Sequence, residues 1–218
     1  CHGGYGSINS TLGQATGTYG DIKNPATMGS PGGNYSTTSL GGAGGGMIQI
    51  VVHQKLTFGG GSITAGGAAG AYTGGQASGG GSGGSVIVTT VDVAGANGAI
   101  KAMGGNANSS GNGGGGSGGH VALYYNSASY AGGVRGIGLS AQAGTNAGTT
   151  AKQNLYTAGS GTVFYKAAAD TIGNLVIDNG TLPHVQGAET PIPLADVFDS
   201  ISTRGTATFL IPSAQTYQ

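Results

Sequence analysis

A run of glycines opens a β-rich stretch four times in this chain, and that repetition constrains the fold more than any other feature. The phrase reads Gly44-Gly45-Gly46-Met47-Ile48-Gln49-Ile50, then Gly83-Gly84-Ser85-Val86-Ile87-Val88, then Gly118-Gly119-His120-Val121-Ala122-Leu123, then Gly159-Ser160-Gly161-Thr162-Val163-Phe164-Tyr165. The strand-start positions Met47, Ser85, His120 and Thr162 follow one another at 38, 35 and 42 residues. The second apolar runs keep step, with Ile63, Ile100 and Leu139 at 37 and 39 residues. A period of this size signals a stacked array in which each unit buries its apolar face on the next.

Aligning the first runs gives columns of period 2. Ile48, Val86, Val121 and Val163 form one column, and Ile50, Val88, Leu123 and Tyr165 the next of the same parity. The opposite parity (Gln49, Ile87, Ala122, Phe164) is mixed and reads as a face partly covered by the glycine tracts. Residues 1–46 read as a Gly/Ser/Thr-rich decorated rung or loop, 47–161 as three glycine-rich repeats, and 162–218 as a continuation with less glycine. The expected fold is all-β: a parallel β-solenoid (β-helix) with glycine-rich excursions. Two readings of the excursions compete: mobile surface loops, or packed polyglycine-II-like segments in which only glycine permits close backbone approach.

Of 218 residues, 50 are glycine and only 6% are charged, with 7 basic and 7 acidic residues cancelling. Typical soluble domains are about a quarter charged. The balance argues against nucleic-acid binding, which needs clustered Lys and Arg, and leaves little repulsion to oppose self-association. Hydrophobic residues at 37%, gathered into short runs, favour order over disorder. Cys1 is the sole cysteine, so no internal disulfide forms; its place at the start is consistent with a fragment end or, alternatively, a lipidated terminus. No apolar run approaches the roughly 20 residues of a membrane span.

The pieces at 44–50, 63–67, 117–125, 159–166 and 173–180 together resemble the glycine-rich β-solenoid repeat modules of very large bacterial surface and secreted, adhesin-like proteins. A thinner likeness, resting on the glycine tracts alone, is to tailed-phage adhesins. The resemblance implies adhesion, extracellular matrix or envelope structure, and an extracellular or cell-surface location.

Residues suited to catalysis are scattered. The acids are Asp21, Asp92, Asp170, Asp178, Glu189, Asp196 and Asp199, and only Asp196 and Asp199 are close in sequence. Glycoside hydrolysis needs two carboxylates about 5–10 Å apart. His2, His53, His120 and His184 lack metal-ligand spacing; His120 reads as an exposed strand-start residue. No cofactor or metal is expected. Tyrosine is the suggestive residue type, with 10 Tyr and no Trp. Tyr72, Tyr124, Tyr125, Tyr130 and Tyr156 fall at strand ends or excursions, where a ring with a polar tip suits a ligand or partner contact; the competing reading is that they close the ends of the core. The expected function is a non-catalytic structural segment of an extracellular filament, stalk or surface adhesin, assembling by β-stacking on itself or on other segments of a larger surface protein. The alternatives are a carbohydrate- or receptor-binding adhesin module that contacts glycans through these tyrosines, and a β-helical polysaccharide-degrading enzyme.

Overall fold

In a computed structural model of the chain, the residues described are 2–4, 17–108, 113–146, 157–183, 188–193 and 195–211. The long strands β1 (Met47–Gly59), β5 (Ser85–Ala96), β7 (His120–Tyr130) and β9 (Thr162–Ala167) each begin where a glycine run stops. They pair in parallel with Ile48, Val86, Val121 and Val163 in one row and Ile50, Val88, Leu123 and Tyr165 in another. Short strands β2 (Ser62–Thr64), β6 (Ala99–Lys101) and β8 (Gly138–Ser140) form a second parallel sheet, aligning Ile63, Ile100 and Leu139. The side chains of both rows meet between the sheets, where Val86, Val88, Val121, Leu123 and Ile100 are wholly buried. Phe58 and Tyr130 belong to the same core, their rings edge to face at 6.2 Å.

The other parity of the large sheet is also buried. Ile87, Ala122 and Phe164 pack with Ile22, Leu175, Ile177 and Ile192. Thus that face lies under the segment around Ile22 and the C-terminal region, not under the glycine tracts. A sheet covered on both faces explains the near-continuous apolar run Val86-Ile87-Val88.

The expected parallel β-solenoid is corrected by the sheet topology. The large sheet is mixed, in the order β1-β5-β7-β9-β10-β12. Strand β10 (Asn174–Asp178) runs antiparallel to β9, and β12 (Ser200–Arg204) parallel to β10. Two further small sheets join β11 (Thr190–Pro191) to β13 (Phe209–Leu210) and β3 (Tyr72–Thr73) to β4 (Gln76–Ala77). The physical reason lies in the connections. After β2 the chain runs out along 65–71, reverses through the β3–β4 hairpin, where Gly74 and Gly75 take φ of 61° and 85°, and returns along 78–84 beside its own outgoing path. Ser78, Gly81 and Gly84 donate to the carbonyls of Ala71, Ala68 and Ala65 in antiparallel order. The chain therefore doubles back between long strands instead of advancing round a coil.

The returning tracts 78–84 and 113–119 are buried, whereas the outgoing tract 65–71 keeps Gly66, Ala68 and Ala69 exposed along one side. They pack side by side into a block on which the starts of the long strands and the ends of the short ones converge. Along 78–84 the backbone donors turn by a third of a revolution per residue. Ser78, Gly81 and Gly84 point to the 65–71 tract, Gly79 and Ser82 to Gly33 and Ser30, and Gly80 and Gly83 to Gly114 and Ser117. Its carbonyls receive in return from Gly42, Gly45 and Gly105. An extended segment with three residues per turn has no internal hydrogen bonds and points its groups outward in three directions, so each neighbour satisfies the next.

Glycine is required here by proximity. A Cβ on Gly81 would lie closer than 3.0 Å to the carbonyl of Ala43, one on Gly116 to that of Gly81, and one on Gly84 to that of Gly46. Gly46, by contrast, has nothing within 4 Å of where a Cβ would stand. We expect Gly81→Ala to cost about 3 kcal/mol or to prevent folding, since overpacking against backbone has no side chain to yield. Gly46→Ala should stay within about 0.5 kcal/mol. Urea unfolding midpoints of the two variants check this contrast.

Candidate functional site

Of the five tyrosines singled out from the sequence, the four among the described residues do not converge. Tyr72 is 40% exposed in the β3–β4 hairpin. Tyr124 and Tyr125, adjacent on β7, face opposite sides of the large sheet. Tyr124 packs toward Phe164, and its hydroxyl donates to the Lys23 carbonyl at 2.6 Å; Tyr125 lies against the core between the sheets. Tyr130 is buried, and its hydroxyl accepts the Gly98 N–H. Tyr156 lies outside the described residues, as do Cys1 and His184. Burial and existing partners assign Tyr124 and Tyr130 to tying segments together.

The carboxylates are engaged with local backbone or side chains. Asp21 accepts from the Lys23 and Asn24 N–H groups, Asp199 from Ile172 and Gly173, and Asp178 from Gly180. Asp92 accepts from Ser127 and Ser129 and lies 3.5 Å from Lys55. Asp196 stands 3.7 Å from Lys23, whose ammonium also sits over the Phe198 ring. Among the described residues no group of three or more His, Cys, Asp or Glu is placed to hold a metal ion.

What the topology does assemble is a buried polar cluster at the starts of the long strands. Ser85, His120 and Thr162 occupy one row across β5, β7 and β9. Onto this row dock residues 2–4 and 17–20, joined by a parallel bridge between His2 and Tyr19. The rings of His2 and His120 meet edge to face at 4.6 Å, and Tyr19 lies 5.0 Å from His2. His120 is therefore 3% exposed, and the expectation of an exposed strand-start residue is corrected. What covers it comes from about a hundred residues upstream, and no local pattern announces that.

The partners set the tautomers. His2 Nδ1 is 2.8 Å from the Gly83 carbonyl oxygen, which only accepts, so Nδ1 carries the proton and Nε2 accepts from the Thr27 hydroxyl at 2.8 Å. His120 Nε2 donates to the Tyr19 carbonyl at 3.3 Å, and Nδ1 accepts from the Thr162 hydroxyl at 2.5 Å. Ser85 donates to the Thr27 carbonyl at 2.6 Å. Gly20, with φ of 104°, passes so close that a Cβ there would strike both imidazoles. The cluster is complete with neutral rings and holds the N-terminal segment on the strand ends.

Burial disfavours a charged imidazole. It is the largest cause pushing the His120 pKa down to about 3, with the neighbouring His2 adding to it. His2 is lowered chiefly by the same desolvation.

An unfolded chain binds these protons near pH 6.5 while the fold resists them. The stability contributed by the neutral rings is full above that pH and is lost as pH falls toward about 3. Lowering pH from 7 to 4.5 should thus remove on the order of 2 kcal/mol through His120 alone. In His120→Gln that part of the dependence should vanish, read as a flatter plot of urea midpoint against pH. No family model, curated protein or solved structure matches the chain.

Proposed function

We infer that the chain is a non-catalytic structural segment of an extracellular or cell-surface filament, stalk or adhesin, which associates with further copies or with other segments of a larger surface protein through strand pairing. The observation that supports this most is the edge of β1. It is a 13-residue strand that, among the described residues, pairs on one side only, with β5. Its core-facing side chains fall short of the burial reached one strand further in. Ile48 and Ile50 are half-buried where their row partners Val86 and Val88 are completely enclosed. A further strand along β1 would finish these rows and satisfy the free backbone groups.

Edge strands that avoid association carry charge or proline. On β1 the only formally charged residue is Lys55, already near Asp92, and Val51 is 55% exposed. The register shift between Val52 and Lys55 is the one irregularity in its pairing with β5. The scarcity of charge over the whole chain removes long-range repulsion between copies. Among the described residues no helix is long and apolar enough to cross a membrane. The reading of the tyrosines as a shared glycan-contact face finds no support in the positions of the four that are described.

Light scattering and negative-stain electron microscopy of the purified chain test the assembly. Oligomers or filaments are expected, and the double variant Gln49→Lys/Val51→Lys should shift them to smaller species while leaving the circular dichroism spectrum intact. A chain that stays at 20.8 kDa across the accessible concentration range contradicts assembly through copies of itself.

A further inference from the structure

The two facing sheets differ in extent. The short sheet has three strands and the large one six. Each short strand sets one aliphatic residue into the core, in the row Ile63, Ile100, Leu139. Ile100, flanked on both sides, is fully buried, whereas Leu139 on β8 is half-buried at the end of the row. Beyond β8 the large sheet continues through β9, β10 and β12, and among the described residues no fourth short strand faces them. At that gap lies a cleft of about 30 Å³, floored by Leu139, Val163, Tyr165 and Val176 and bordered by Arg135 and Arg204.

Both arginines are exposed, and neither guanidinium has an ion-pair or hydrogen-bond partner among the described residues. Asp178 stands opposite Arg204 in the β10–β12 register, but its carboxylate is turned to the Gly180 N–H, with no ion pair to Arg204. Lys166 donates to the Thr171 carbonyl. The gap therefore combines an apolar floor, a cationic rim and a strand edge. The floor has space for about two water molecules, which suits the end of one aliphatic side chain and is too small for a sugar ring.

We propose that the edge of β8, unpaired among the described residues, takes up an extended peptide segment of a partner protein as a fourth short strand, with an aliphatic side chain filling the cleft and a neighbouring carboxylate held by Arg135 and Arg204. Strand addition supplies main-chain hydrogen bonds while the pocket selects the side chain, and arginine forks favour carboxylates with bidentate geometry. The row itself gives the template: the incoming aliphatic residue continues Ile63, Ile100 and Leu139. This inference does not depend on self-association through β1, which lies at the opposite edge of the large sheet.

Fluorescence anisotropy with the full chain tests it, using a labelled five-residue peptide that carries isoleucine between two aspartates. Saturable binding is expected. It should weaken at least tenfold in Arg135→Glu/Arg204→Glu, whose exposed positions leave the urea midpoint unchanged, and recover in that variant when the peptide's aspartates are replaced by lysines. Replacing the peptide's isoleucine by serine should abolish it. Absence of saturable binding, equal binding by the double variant, or binding of polygalacturonate in place of the peptide with the same arginine dependence would each overturn the proposal.

Discussion

A buried peptide group must find a hydrogen-bond partner, and in this molecule the partner is usually another stretch of backbone with no side chain between. That requirement organises the whole chain. Fixing a residue costs roughly 1–2 kcal/mol of conformational entropy, and glycine loses the most. A typical hydrogen bond returns only about 1 kcal/mol net, but an unmade one in the interior costs more. The glycine tracts meet this through the three-way rotation of their donors, so that 78–84 is tied at once to the tracts around Gly33, Gly42, Ala68, Gly105 and Gly114. Close approach in turn excludes Cβ atoms. Composition and packing are two statements of one condition.

The block also fixes where the strands lie. Each long strand leaves it at a set place, so β1, β5, β7 and β9 start level with one another and their apolar rows come into register. The short strands enter it in the same order, which aligns Ile63, Ile100 and Leu139. Residues 2–4 extend the same logic. A Cβ on Gly3 or Gly4 would collide with the carbonyls of Gly118 or Ser160, and the two histidines then close the contact with side-chain hydrogen bonds. The N-terminal segment is thus held in part by imidazoles whose protonation the fold opposes, while the glycine block is held by backbone groups that do not titrate.

Much of the pairing was legible in the sequence because it is carried by position in a repeat. The rows headed by Ile48 and Ile50 and the row of Ile63, Ile100 and Leu139 appear on aligning the glycine runs, and the register obeys them. The solenoid expectation failed because a repeat specifies which strands are neighbours and says nothing about the path between them. An out-and-back pair of glycine tracts and a single wandering excursion have the same composition. The antiparallel turn of β10 against β9 falls after the repeat has ended, where no periodicity guides the eye. His2, Tyr19 and His120 come together across more than 100 residues; a histidine in place of Met47, Ser85 or Thr162 looks like surface variation until its cover is known. The tyrosines were ambiguous for a related reason, since an amphipathic ring at a strand end serves a partner surface and an internal tie equally well.

The three-way hydrogen bonding of the glycine block also has a mechanical consequence. A β-sheet is strong along its strands and across its hydrogen bonds, yet its layers part along the side-chain interface, which is its plane of weakness. Around 78–84 the bonds run in three directions, so no such plane passes through that segment. Shear that would slide 78–84 past any of these three neighbours must break backbone hydrogen bonds.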